Sequence, residues 1–482
     1  MTEKTFRIPY GESSIYGALP ERTRIIKNTN PPIPALPELA QAVRDALNNP
    51  IAHDPLSKLV NAKSKVTIAF DDAIGHFIAE NKPGFREVAV KVILEELDKL
   101  GVSSHNIRLV CAIGLHRKWT RGEMAGILGA DLVYRSSPSW LFNHDPEDKE
   151  NMVFLGETHR HQEVEVNRLV TESDQLIYVS HPFCQFNGGW KTVVVGLGTW
   201  RTQRHHHRPF PTAAGKSSID PKRSAFFKLL NEMGGVIEAE LAKKGRRVLV
   251  VEGSSNNRLP QDVVQVVAGH PPEAHAKGLE ILDRQLVVDV NGQCDVLIAG
   301  MGNGRDPYSY LSISNPITVR NLALSYTYGL FQNVPLVKPG GIMIVCHPCI
   351  RQFDAVHYPS YIELFEKILP DLKDGNEVWD LYAEDFAHRP EFVHKFRYNY
   401  AFHGAHSLIL YGQGIYAQKH LSRVFLAGAT DFEAARRVGF EPFVSLEDAI
   451  AEAENAMGKD CSIDYLDMPE LFFLSRVNAE KS

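Results

Sequence analysis

Short unbroken apolar runs alternate with segments whose apolar residues recur at helical spacing, and this alternation restricts the chain to an α/β architecture. Residues 66–70 (V-T-I-A-F) read as a strand, and residues 85–100 follow as a helix. The strand at 107–113 (I-R-L-V-C-A-I) is followed by the helix T-R-G-E-M-A-G-I-L, with Thr120 as its N-cap. A strand at 175–180, a long helix at 223–244 and a strand at 247–251 continue the rhythm. A second alternation places strands at 294–300, 341–346, 407–411 and 423–427, with helices at 316–331, 358–369 and 445–457, the last capped by Ser445. Strands that are apolar throughout, rather than alternately, belong to parallel sheets covered on both faces. With 482 residues the chain exceeds one ordinary domain. The expected fold is therefore two α/β domains with mainly parallel sheets and a ligand cleft between them. The change of rhythm over 278–293 sets the expected limits at 1–282 and 283–459, with the tail, 460–482, packing back on the first domain. Residues 1–60, rich in Pro and Asn, read as an extended lead-in carrying one helix near 37–48.

Composition excludes some partners. A net charge of −6, with no basic helix or aromatic-plus-basic platform, gives no reason to expect nucleic acid. No apolar run approaches the length needed to span a bilayer, and the N-terminus lacks an apolar signal core, so the expectation is no membrane and a cytoplasmic location. The six cysteines are scattered apart from Cys346 and Cys349, which frame a single C-H-P-C around His347. One such pair is weak support for zinc, and buried reduced thiols are the expectation.

Three strands of the first alternation end in polar residues: Asp71-Asp72 after 66–70, His116-Arg117 after 107–113, and His181 after 175–180. In open parallel sheets the carboxyl ends of the strands line the ligand crevice. From Gln175 to Ile219, 45 residues pass without Asp or Glu, whereas 58 acids in 482 residues would put about five there. The same span carries Lys191, Arg201, Arg204, Arg208 and Lys216. Such a segment suits either an anionic ligand with a metal or a solvated basic face. Gly188-Gly189 permits a positive φ or a close approach of backbone to a ligand. Neighbouring side chains diverge on any regular element, so at most one or two of His205, His206 and His207 can face one site. No G-x-G-x-x-G follows a strand, which disfavours a nicotinamide dinucleotide enzyme.

A-I-G-L-H-R (112–117), F-N-H-D-P-E-D (142–148), H-P-F-C-Q-F-N-G-G-W-K (181–191), a histidine sixteen residues past that lysine, and G-M-G-N-G-R-D (300–306) together resemble the nickel-dependent lactate racemase family. The resemblance runs from about residue 60 onward and is most specific around Lys191. It implies a racemase or epimerase that inverts C2 of a 2-hydroxy acid. It also implies a nickel pincer nucleotide, of the pyridinium-3,5-bisthiocarboxylic acid mononucleotide type, attached covalently through Lys191. Hydride would pass to and from this cofactor, which spares the enzyme the costly removal of the α-proton as H⁺. Carried over position by position, His207 is the nickel ligand, with His205 or His206 if the spacing shifts. His116 and His181 are the acid–base pair on the hydroxyl, and Asp72, Gly188 and Gly189 contribute to the cofactor site. The implied partners are a small 2-hydroxy acid and cofactor-biosynthesis proteins, with an oligomer left open.

One segment departs from the family pattern. Where the family reads approximately D-x-T-R-P, its arginine holding the substrate carboxylate, this chain reads D-D-A-I-G-H-F, with Asp72 kept and Ile74 and Gly75 in place of Thr and Arg. Glycine cannot replace a guanidinium fork. His76, Arg117, Asn315 and Arg320 are the candidates to take over the carboxylate. A larger or more polar acid than lactate, such as a sugar acid or an aryl hydroxy acid, is the expectation. Two rivals remain: a binding protein of the same fold without turnover, and a zinc hydrolase built on the histidine block, the latter lacking any H-E-x-x-H.

Overall fold

A computed structural model describes residues 5–72, 81, 83–209, 224–308, 314–468 and 472–478. Two sheets organise it. The first has six strands in the order Val263–Gly269, Leu249–Ser255, Gln175–Ser180, Val66–Asp71, Ile107–Ala112, Leu141–Asn143. All pairings are parallel except the edge strand Val263–Gly269. Gln175–Ser180 is buried along its whole length and Val66–Asp71 at all but its last residue, which explains their lack of polar alternation. The helices Phe85–Lys99 and Ala225–Ala242 contribute Val90, Ile93 and Leu97, and Leu230, Met233 and Ile237, to two separate apolar clusters on this sheet. Thr120 caps Arg121–Leu128 with a complete capping box through Glu123.

The second sheet has eight strands. Its main path runs Glu441–Phe443, Arg423–Ala427, Val337–Cys346, Cys294–Gly302, Thr5–Gly11, Ser13–Ala18, and Ile463–Leu466 bridges Cys294–Gly302 to Arg24–Ile26. The fold is thus α/β with two mainly parallel sheets. The limits 1–282 and 283–459 need correction, because residues 5–26 belong to the second sheet. The tail does not pack back on the first lobe either: Ile463–Leu466 joins the second sheet, and Leu474–Asn478 pairs in parallel with Val287–Asn291. The strand expected at 407–411 is part of the helix His406–Gln413, whose residues His406 to Gly412 are all buried. A short, wholly buried apolar run carries no period that separates helix from strand.

Two helices of the second lobe widen partway along. Pro316–Asn321 passes into a π-helical turn, Leu322–Thr327, and Pro359–Glu363 into Leu364–Ile368. The chain crosses between lobes twice, and the crossings are laced together. Asn28 Nδ2 donates to the Gln285 carbonyl (2.7 Å) and Asn30 Nδ2 to that of Val287 (2.7 Å). Gln285 in turn accepts from the Ile33 amide (3.0 Å) and donates to the Pro31 carbonyl (3.0 Å). No helix among the described residues is long and apolar enough to cross a membrane.

Candidate active site

The carboxyl ends of the central strands of the first sheet open on a cavity of about 180 Å³ between the lobes. The first lobe lines it with Asp71, Asp72, Arg86, His116, Lys191 and His207, among others. The facing wall is mostly apolar and comes from the second lobe, through Tyr308, Leu324, Tyr326, Phe331 and Tyr416. Leu324, Ser325 and Tyr326 reach it from the π-helical turn.

His116 stands just past Ile107–Ala112, and its Nδ1 lies 2.9 Å from Asp72 Oδ2, just past Val66–Asp71. A carboxylate accepts only, so Nδ1 carries the proton and Nε2 is the exchanging nitrogen. Asp71 serves the wall instead. It accepts from Arg86 Nε (2.6 Å), Ser180 Oγ (3.2 Å) and the His181 amide (3.1 Å), tying two strand ends together.

Lys191 opens the helix Lys191–Gly196, and its Nζ lies 5.1 Å from the centre of the Phe186 ring. Among the described residues it has no ion-pair partner, and burial lowers its pKa below the ordinary lysine value. Desolvation disfavours the ammonium, so the amine is more readily nucleophilic. The helix Trp200–His207 carries the three histidines. His205 Nε2 accepts from the Glu163 amide (3.2 Å), away from the cavity, whereas His206 and His207 both line it. His207 Nδ1 donates to the Gln203 carbonyl (3.3 Å), leaving Nε2 as a lone-pair donor. Burial, then the nearby Lys191, pushes its pKa down to about 3, so the ring is neutral as a ligand must be. Both nitrogens of His206 are buried without a hydrogen-bond partner, and its ring lies 4.5 Å from that of His207.

Of the expected site residues, Asp72, His116, Gly188, Lys191 and His207 meet on this cavity. His181 does not line it: Nε2 is 2.7 Å from Ser255 Oγ, and the ring packs on Phe85 at 5.4 Å. Arg117 is paired with Glu123 (2.6 Å) and stacked over Trp119. Asn315 caps Pro316–Asn321, and Arg320 is buried over Tyr411, donating to the Val438 carbonyl (3.1 Å). None of these three reaches the cavity. Gly75 and His76 lie outside the described residues.

Two features of the acid-free segment that begins at Gln175 stand differently in the fold. Gly188 and Gly189 have φ of 113° and 54°, but what approaches them closely is a buried His275–Glu252 pair. Three of the cations other than Lys191 turn away from the cavity, Arg201 and Arg204 pairing with Glu163 and Arg208 with Asp380, and Lys216 lies outside the described residues. Arg86 is a residue that sequence reasoning missed. Its signal was available, since it sits in the first turn of the helix that follows the Asp71-Asp72 strand end. The C-H-P-C segment holds no metal geometry: His347 Nε2 donates to Asn303 Oδ1 (2.8 Å) and Nδ1 accepts from the Cys349 amide (2.9 Å). All six cysteines are free and buried.

A lysine amine, two imidazoles and an aspartate-held histidine are thus gathered on one cavity between two α/β lobes. Residues 10–217 match the family model described as the lactate racemase N-terminal domain. The chain is 25% identical over 356 residues to the lactate racemase of Thermoanaerobacterium thermosaccharolyticum, covering 71% of this chain and 74% of that one. It is 27% identical over 171 residues to the lactate racemase of Lactiplantibacillus plantarum, covering 35% of this chain and 38% of that one. The apoprotein structure of the T. thermosaccharolyticum enzyme superposes with a TM-score of 0.67 at 20% identity, covering 98% of this chain and 100% of that one. A crystal structure of a Thermotoga maritima protein gives 0.56 at 14% identity, covering 91% and 98%. These likenesses support the fold.

Proposed function

We propose that this chain is a racemase or epimerase acting at C2 of a 2-hydroxy acid, with a nickel pincer nucleotide attached through Lys191. The observation that carries the reading is the meeting of Lys191, His207 and the His116–Asp72 pair on one interlobe cavity. The residues present fit such a group. Lys191 offers an amine with a lowered pKa, His207 a neutral imidazole with its Nε2 lone pair free of the Gln203 bond, and His206 two buried nitrogens in want of a partner. When bound, the group supplies an acceptor and donor of hydride. His116 Nε2 takes the hydroxyl proton of the substrate, Asp72 stabilises the imidazolium, and the same nitrogen returns the proton. The apolar wall of Tyr308, Leu324, Tyr326 and Phe331 keeps water from the reacting carbon.

The test is the mass of the Lys191 peptide after the protein is produced together with cofactor-synthesis proteins. The expected result is a covalent nucleotide-sized adduct accompanied by inversion of a 2-hydroxy acid, and an unmodified Lys191 under those conditions rejects the reading. A second reading, a binding protein of the same fold without turnover, draws on the engagement of His181 by Ser255 and Phe85. Binding of 2-hydroxy acids by loaded protein, with inversion of none, would favour it.

A further inference from the structure

Beneath the loop that delivers Lys191 lies a charged pair sealed from solvent. Glu252, on Leu249–Ser255, is 0% exposed, and His275, on Pro271–Leu286, is 5% exposed. His275 Nδ1 is 2.9 Å from Glu252 Oε2, and Nε2 is 3.3 Å from the Gln185 carbonyl. Both partners are acceptors only, so the ring satisfies both bonds only as imidazolium. Burial opposes that charge, but Glu252 outweighs it and raises the pKa above the ordinary histidine value. The other carboxylate oxygen of Glu252 accepts from the Gly189 amide (2.8 Å). The pair therefore grips the loop at two points, Gln185 and Gly189, on either side of the Asn187-Gly188 turn. A Cβ at Gly188 would collide with the imidazole, and one at Gly189 would press on it at 3.3 Å, so the glycines let the backbone lie directly on the ring. Two residues further on, Lys191 begins its helix.

We infer that His275 and Glu252 are positioning residues for the tether: held as a buried ion pair, they fix the 184–190 loop and so set where the Lys191 amine enters the cavity. An ion pair without solvent is a costly way to hold a loop, because both charges lose their hydration. What it gives here is direction, since a carboxylate and an imidazolium accept and donate along defined axes to two chosen backbone groups. An apolar plug of equal volume would fill the space without choosing Gln185 and Gly189. The inference rests on the reading of Lys191 as the tether, but it can be measured without the cofactor.

The experiment uses the full-length protein free of cofactor. Lysines are trace-acetylated with acetic anhydride across a pH series, and the Lys191 peptide is quantified by mass spectrometry against that of exposed Lys63. His275→Leu and Glu252→Ala are expected to slow Lys191 relative to Lys63 by about tenfold, or to move its apparent pKa by about one unit. Glu252→Gln, which can still accept from Gly189 and bond His275, is expected to stay within about twofold of the parent. Thermal unfolding is recorded for each variant. Should a disrupting variant fail to fold, His275→Met, which fills the space without a donor, replaces it. Parental Lys191 rate and apparent pKa in any folded disrupting variant overturn the inference. Absence of the adduct in co-produced parent protein overturns the tether reading instead, so the two failures are distinguishable.

Discussion

At the scale of single residues, the cavity separates groups with a polar atom left to offer from groups spent on holding the wall: His116, braced through Nδ1 by Asp72, keeps Nε2, whereas Asp71 is taken up by Arg86, Ser180 and the His181 amide. Asp72→Asn keeps the shape but gives Nδ1 an amide that can donate as well as accept, so both tautomers of His116 become available. Turnover of the active substrate is expected to fall by about 10²-fold or more, with His116→Gln at least as severe, measured as kcat with the Lys191 adduct level held equal by mass spectrometry. His207→Ala removes the Nε2 donor, and the metal content of loaded protein, read by elemental analysis, is expected to drop while His205→Ala leaves it unchanged. How far the sequence reached follows from the same distinction. Strand-end position led to Asp72 and His116, because chain geometry alone brings strand ends together, whereas Lys191 and His207 came from the family resemblance. Neither could show that Arg117 faces Glu123, or that Arg320 lies over Tyr411, because a side chain's partner is a tertiary fact. His181 differs from expectation in a similar way: it stands at the strand end, but Ser255 on the neighbouring strand holds the ring.

At the scale of elements, local rules held where local chemistry decides. Thr120 caps its helix as its sequence implies, and Thr120→Ala is expected to cost about 1 kcal/mol, checked by urea unfolding of the parent and the variant. The cationic segment shows the reverse. Its lack of acids was real, but its arginines found theirs elsewhere, in Glu163 on the strand Glu163–Asn167 and in Glu384 and Asp380 on the second-lobe helix Gly375–His388. Charge balance was met between elements rather than within one. The helix His406–Gln413 was illegible for another reason: burial on every side erased the period that would have marked it. The π-helical turn left no mark in the sequence either, although it carries Leu324 and Tyr326 to the cavity.

At the scale of the whole molecule, the lobes meet through charges that respond to acid. Asp145 of the first lobe accepts from Lys118 (2.7 Å) and from second-lobe Arg397 (3.1 Å), and Glu147 lies 3.1 Å from second-lobe His403. Burial alone would raise both carboxyl pKa values. The bonds and charges of Lys118 at Asp145, and of His403 at Glu147, outweigh it and hold them below their ordinary values. Folded protein then binds fewer protons than unfolded protein at these groups, so their contribution is complete above the ordinary carboxylate range and is lost as pH falls through the lowered values. Urea midpoints are expected to decline below about pH 4, and Asp145→Asn to flatten that decline. The Pro- and Asn-rich lead-in has a mechanical role of its own. Because the segment at 28–33 and that at 285–287 lie side by side, stitched through Gln285, the lobes are joined by a two-ply strap rather than a single thread. Any change in the angle between the lobes would have to bend both plies together, so the width of the interlobe space is tied to the hydrogen bonds that Gln285 makes.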